Sequence, residues 1–149
     1  MKGLVYVSAT QEIWTEGKLV ELINRANTFN LLHSITGYLL YSQDKFMQYI
    51  EGEEADVDAL YARIAKDPRH QILNCLEESF SEGRRFPNWS MNRLNQNQLV
   101  AIGMEKMILD YLYMFDGKIY PTKPHHSQTV WRMLDQLSYF RVQLRSHTD

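Results

Sequence analysis

An α+β sandwich of ferredoxin-like type is predicted for this chain of 149 residues, and three observations predict it. Strand-like and helix-like periodicities alternate over the first 94 positions in the order βαββαββ. Two of the strand-like runs are joined by a short group of turn residues, which makes a hairpin. Both helical patterns are apolar along one stripe, so each needs a sheet face to cover it. Two helices on one face of a mostly antiparallel sheet is the ferredoxin-like arrangement. Residues 96–149 hold two more apolar helical stripes, expected as a helical hairpin on the opposite face. The expected division is therefore 1–95 for the sandwich and 96–149 for a two-helix extension.

The elements follow in chain order. Residues 3–8 are short, β-branched and aromatic, and in the strand they predict, Leu4, Tyr6 and Ser8 share a face. Thr15 is placed to cap a helix with Glu16 in its first turn, after which Leu19, Leu22, Ile23 and Ala26 recur at helical spacing toward Asn30. Strand-like runs at 34–41 and 45–50 flank Ser42, Gln43 and Asp44. In the second of these, Phe46, Gln48 and Ile50 face one side, and Met47 and Tyr49 the other. Val57, Leu60, Tyr61 and Ile64 form the next helical stripe, which Pro68 ends. Strands are expected at 72–80 and 85–94, separated by Ser81, Glu82 and Gly83. Beyond them, Val100, Met104, Met107, Ile108, Tyr111 and Phe115 form one stripe. Val130, Met133, Leu134, Leu137, Arg141 and Leu144 form another, with Pro121 and Pro124 between the two.

Composition removes several functional classes. Lys and Arg number 16 against 18 Asp and Glu, a formal charge of −2, which offers no electrostatic footprint for nucleic acid or an anionic membrane surface. Hydrophobic residues at 44% and charged ones at 23% exclude a disordered chain. The single cysteine, Cys75, excludes an internal disulfide and a cysteine-based zinc site, and it suits a reducing compartment. No segment is apolar enough to cross a bilayer and no secretory signal begins the chain, so a cytoplasmic protein is expected. Nine Tyr, six Phe and three Trp suit an aromatic pocket and a well-built core equally.

Enzymatic chemistry is not indicated. The titratable groups are scattered, and no nucleophile–base signature is present. His33, His70, His125, His126 and His147 lack zinc-site spacing, although an adjacent pair such as His125-His126 can bind metal in some settings; no metal is expected. There is no GxGxxG and no P-loop. The Asn74-Cys75 pair also occurs in light-oxygen-voltage flavin domains, where the thiol adds to the flavin, but the residues that follow that motif are missing. A buried small side chain on a strand explains Cys75 more simply. Two polar residues resist explanation by packing, namely Tyr6 in the first strand and Gln48 in an otherwise apolar one. Inward-facing groups of this kind need partners or cost about 1–3 kcal/mol. Either Tyr6 bonds Gln48 across the sheet and satisfies it, or the two present a polar edge to a ligand.

Five separated motifs resemble the signature of the BLUF family of flavin-binding blue-light sensors. They are Tyr6 within Leu4-Val5-Tyr6-Val7-Ser8; Asn30 ahead of Ile35-Thr36-Gly37; Gln48 within 46–52; Asp67-Pro68-Arg69-His70; and the run 85–91, with Trp89 and Met91. The likeness covers residues 2 to 94 in order. It implies a non-covalent flavin, usually FAD with FMN as the alternative, and makes 1–95 the photosensor. By the same resemblance Tyr6 is the electron donor to the excited flavin, and Gln48 lies between that phenol and the ring. Asn30 holds the carbonyl edge, and Leu22 and Ile64 sandwich the isoalloxazine. Arg63, Asp67, Arg69 and His70 meet the ring edge or the ribityl chain. Trp89 and Met91 lie near Gln48 on the fifth strand. Phe29 departs from the pattern, because the position before the flavin-binding Asn often holds His or Asn; a phenyl ring packs or stacks but donates no hydrogen bond.

The resemblance implies a mechanism as well. Blue light makes the flavin a strong oxidant that draws an electron and then a proton from Tyr6 through Gln48. After recombination Gln48 is left rotated or tautomerised, with a new hydrogen bond to the flavin carbonyl and a slightly red-shifted, reversible spectrum. Output is expected through Trp89 or Met91 to the helices at 96–149, and from them to a second copy of the chain or to a signalling partner. The alternatives are a small flavin-dependent redox enzyme, an acylphosphatase-like hydrolase for which only Arg84-Arg85 speaks, and a light-blind interaction module.

Overall fold

The computed structural model describes residues 1–87, 92–93, 99–114 and 124–148. Along the chain it holds β1 (Lys2–Ala9), α1 (Glu16–Leu32), β2 (Thr36–Ser42), β3 (Lys45–Gly52), α2 (Glu54–Lys66), β4 (Gln71–Ser79), β5 (Asn92–Arg93), α3 (Leu99–Met114) and α4 (Pro124–Thr148). The sheet order is β4-β1-β3-β2-β5. The first four strands are antiparallel to their neighbours, and β5 joins β2 in parallel.

Side-chain alternation divides the two layers. On β1, Leu4 and Tyr6 join Phe46 and Ile50 of β3 in a core under α1 and α2. Val5 and Val7 join Met47 and Tyr49 in a second core with Ile108, Leu112, Val130, Leu134 and Leu137 of α3 and α4. Period-2 alternation on the two central strands thus produces a three-layer protein with one pleated sheet in the middle.

Local chemistry sets the connections. The Thr15 side chain accepts from the Lys18 amide and caps α1, satisfying a donor that the first helical turn leaves unpaired. Trp14 and Leu19 occupy the flanking positions of a hydrophobic staple and share one core cluster. Gln43 and Asp44 carry positive φ angles of 51° and 62°, the two-residue hairpin turn whose twist matches the flanking strands. A Cβ on Gly37 would lie 1.8 Å from the Tyr49 carbonyl oxygen, so β2 closes on β3 there only with glycine. Asp67 is extended before Pro68, which ends α2.

Two expectations are corrected. Residues 85–87 form a bend and a turn rather than strand. The Arg85 and Phe86 amides donate to the Glu51 carboxylate at 3.0 and 2.7 Å instead of to a ladder, and Pro87 has no N–H. Of the expected fifth strand only Asn92–Arg93 is described, and Trp89 and Met91 lie outside the described residues. Among the described side chains of α3, Ile108, Leu109 and Leu112 are buried, while Met107 is 61% exposed. This run is apolar over most of its circumference, so periodicity leaves its inward face open and packing decides it. Phe115 and the side chains of Val100, Met104, Arg141 and Leu144 lie outside the described residues. On α4, Val130, Leu134 and Leu137 are buried as the stripe predicts.

Candidate functional site

A cavity of about 290 Å³ opens between α1, α2 and the sheet. Leu22, Ala26 and Phe29 of α1 face Leu60 and Ile64 of α2 across it, and Tyr6, Leu39, Phe46 and Gln48 form its floor. Helical spacing explains the walls, since Leu22, Ala26, Phe29 and Asn30 recur every three or four residues on the sheet-facing side of α1. Strand alternation explains the floor, because Phe46 and Gln48 are two residues apart on β3. All nine residues expected at a flavin site line this one cavity: Tyr6, Leu22, Asn30, Gln48, Arg63, Ile64, Asp67, Arg69 and His70.

Tyr6 and Gln48 are direct partners in the β1–β3 ladder. The phenol donates to Gln48 Oε1 at 2.5 Å, and the two residues are 3% and 6% exposed. Burial pushes the Tyr6 phenol well above the ordinary tyrosine range, and neighbouring Tyr61 adds to the effect, so the proton stays on the phenol oxygen in the resting protein. Asn30, 1% exposed, closes one end of the cavity.

The rim is polar and tightly organised. Arg69 donates through Nε and Nη2 to both Asp67 oxygens at 2.6 to 3.0 Å, and these bonds hold the Asp67 carboxyl down at about 2. The Arg69 guanidinium also stands 5.3 Å from the Trp14 ring. His70 Nε2 meets the Ile64 carbonyl at 2.7 Å and Nδ1 meets Ser8 Oγ at 2.8 Å. A carbonyl only accepts, so Nε2 carries the proton, and in the neutral ring Nδ1 accepts from Ser8. His70 therefore shows the cavity its ring, with both nitrogens engaged by protein. Phe29 packs, lying between the His33 ring at 4.0 Å and the Arg63 guanidinium at 4.6 Å.

Other motifs take different places. Cys75 lies opposite Tyr6 on β4 but is not among the lining residues, and burial pushes its thiol up, away from the thiolate that adduct chemistry needs. Asn74 donates to the Leu112 carbonyl of α3 at 3.0 Å. Arg84 bonds Thr36 and the Glu51 carbonyl, and Arg85 pairs with Glu78 and Asp135, so neither lies at the cavity. Among the described residues no group of three or more His, Cys, Asp or Glu is placed to hold a metal, and no helix is long and apolar enough to cross a membrane. The side chains of His125 and His126 lie outside the described residues. Sequence reasoning missed Trp14, Arg25, Ala26, Leu39, Phe46 and Leu60 as lining residues. Period-2 spacing from Gln48 carried a signal for Phe46, whereas nothing local marks Trp14, which the turn 10–15 carries to the cavity. Thr10 fixes that turn by accepting from Trp14 Nε1 at 3.2 Å and donating to the Arg69 carbonyl at 2.7 Å.

Comparison with known proteins agrees with this arrangement. Residues 1–92 match the family model of BLUF, sensors of blue-light using FAD. The chain is 34% identical over 93 residues to the photoactivated adenylate cyclase subunit alpha of Euglena gracilis, covering 61% of this chain and 9% of that protein. It is also 34% identical over 83 residues to the blue light- and temperature-regulated antirepressor BluF of Escherichia coli (strain K12), covering 56% of this chain and 21% of the relative. The chain thus spans a tenth to a fifth of the length of these curated relatives. Among solved structures, the dark state of BlrB, a BLUF protein, superposes with a TM-score of 0.61 at 28% identity, over 91% of this chain and 95% of that one. The photo-activated state of BlsA gives 0.60 at 25% identity, over 93% and 95%. The sandwich, its buried tyrosine–glutamine pair and the family match over residues 1–92 lead to one conclusion: this chain belongs to the BLUF family of flavin-dependent blue-light sensors.

Proposed function

We propose that the chain is a blue-light photoreceptor without catalytic output, that Tyr6 and Gln48 are its photoactive pair, and that flavin lies between α1 and α2. The observation that carries this reading is the Tyr6–Gln48 hydrogen bond at the floor of the cavity. The residues fit such a group. A volume of about 290 Å³ lies just below the roughly 300–1,000 Å³ of small-molecule sites. Leu22 and Ile64 offer aliphatic surfaces to the two faces of a flat ring, and Asn30 and Gln48 place buried amides where its polar edge needs partners. Arg63, Asp67, Arg69 and His70 line the rim toward the ring edge and ribityl chain, His70 through its ring and not its nitrogens, with FAD as the expected form and FMN as the alternative.

A bound flavin supplies blue-light absorption and, once excited, a one-electron acceptor. Tyr6 would be the residue that supplies the electron to such a group, and its proton would leave along the existing hydrogen bond to Gln48 Oε1. When the proton and electron return to Tyr6, Gln48 is left with its ends exchanged. An amide carries an acceptor and a donor on opposite arms, so reversal changes the sense of each bond it makes without creating charge. Water exclusion strengthens those bonds and enlarges the energy difference between the two arrangements.

Residues 1–95 act as the sensor and 96–149 as the output element, with Trp89 and Met91 on the link between them. Output passes to a second copy of the chain or to a signalling partner. Relatives named as a photoactivated cyclase and an antirepressor support an effector beyond the sensor. The lone free thiol, Cys75, favours a reducing, cytoplasmic setting. The deciding experiment is an absorption spectrum of purified protein before and after blue light. A yellow protein with a small reversible red shift is expected. Colourless protein that binds neither FAD nor FMN overturns the reading, and turnover with a reductant and an acceptor but no light-induced shift favours a redox enzyme.

A further inference from the structure

We infer that Arg85 is a positioning residue that conveys the state of β3 to α4, so that the signal reaches α4 through the Arg85–Asp135 contact as well as along the link that holds Trp89 and Met91, and not through α3. The inference rests on the photoreceptor reading above. Gln48 and Tyr49 are consecutive on β3 and therefore point to opposite faces of the sheet. Gln48 lies at the cavity and Tyr49 in the core beneath α4. The Tyr49 hydroxyl donates to Glu51 at 2.7 Å and accepts from Arg85 Nη1 at 3.0 Å.

The same guanidinium reaches two other elements. Nη2 donates to Glu78 of β4 at 2.5 Å and Nε to Asp135 of α4 at 2.6 Å, while the group lies over the Trp131 ring at 5.2 Å. Its side chain is 14% exposed. The backbone beneath it is fixed as well, because the fully buried Glu51 carboxylate accepts from the Arg85 and Phe86 amides. Arg85 therefore cannot hold its position when β3 moves. Turning the Gln48 amide shifts β3 locally, Tyr49 and Glu51 shift with it, and the bond to Asp135 carries the shift into α4. On the α3 side, Lys45 at the start of β3 lies over the Tyr113 ring at 4.6 Å, an exposed contact three residues from Gln48 with Tyr113 47% exposed, and the Asn74 tie to Leu112 is made differently. Asn74 belongs to the edge strand β4, which does not pair with β3, and its Oδ1 accepts from the adjacent Cys75 amide.

The test uses the full chain loaded with FAD, with light-minus-dark amide hydrogen exchange on 124–148 and the flavin red shift read in the same sample. The expected parent result is a light-dependent change on α4. Asp135→Asn is expected to keep the red shift but to shrink that light-minus-dark difference at least about threefold, the size of one lost coupling contact. Asp135→Glu is expected to restore it, and Asn74→Ala to leave it intact. A merely structural clasp would raise α4 exchange equally in darkness and light, leaving the difference unchanged. That result overturns the inference, as does a parent with a red shift but no response on α4, failure of Asp135→Glu to restore the difference, or its loss in Asn74→Ala. A parent with no red shift defeats the photoreceptor reading instead.

Discussion

One hydroxyl decides most of the chemistry at the cavity floor. In Tyr6→Phe, Gln48 Oε1 loses the donor now 2.5 Å away, and an unmet bond at a buried site costs about 1–3 kcal/mol. The variant is expected to bind flavin and to show no red shift, which an illuminated absorption spectrum and a urea midpoint check together. Gln48→Glu is expected to lose the shift as well, because an ionised carboxylate has acceptors and no donor; it should also bind flavin more weakly, as titration of the apoprotein would reveal. Tyr6 and Gln48 were legible in the sequence because polar residues on inward-facing strand positions are conspicuous. Their pairing was one of two readings that the sequence left open, the other being a polar edge for a ligand, and the β1–β3 register that sets them opposite each other decides for the bond. Phe29 was legible as a departure from the family pattern. Its position between His33 and Arg63 depends on how closely α1 approaches α2, which no local pattern reports.

Helices and strands were read best where one face is apolar and the ends are marked. Thr15 and Pro68 bracket α1 and α2, and removal of the α1 cap by Thr15→Ala should cost about 1 kcal/mol, measurable as a lower denaturant midpoint with an unchanged slope. Gly37→Ala tests the β2–β3 contact more severely. Its Cβ would fall on backbone atoms of Tyr49, which cannot rotate away, so a loss of about 3 kcal/mol or more is expected, seen as a large fall in melting temperature. The run 85–94 misled because its aromatic and apolar residues resemble a strand. Which group takes the Arg85 and Phe86 amides depends on Glu51, more than thirty residues earlier. The face of α3 was illegible for a related reason, because a helix apolar nearly all round offers no preferred direction until neighbouring elements supply one.

Across the whole molecule, buried phenols make folding sensitive to alkali. Burial raises Tyr6 and Tyr49 above the ordinary value of 10.0. Above about pH 10 the unfolded chain sheds these protons while the folded protein keeps them. The folded state then binds more protons, and stability falls with rising pH by about 1.4 kcal/mol per unit for each tyrosine. Urea midpoints at pH 7 and pH 11 should differ accordingly, and the light-induced shift should persist to pH 10, because Tyr6 still holds its proton. At the acid end, the contribution of the Asp67–Arg69 pair is present above 3.8 and lost as pH falls toward about 2. With these side chains 27% and 43% exposed, it is worth under about 1 kcal/mol. By itself the sequence determined the element order, the two faces of β1 and β3 and the cavity residues that the five motifs contain, because periodicity, caps and turn chemistry act over a few neighbouring positions. The tertiary structure alone decided the Tyr6–Gln48 bond, the inward face of α3, the turn at 85–87 and the three-element junction at Arg85, because each depends on distances between groups that the chain keeps far apart until it folds.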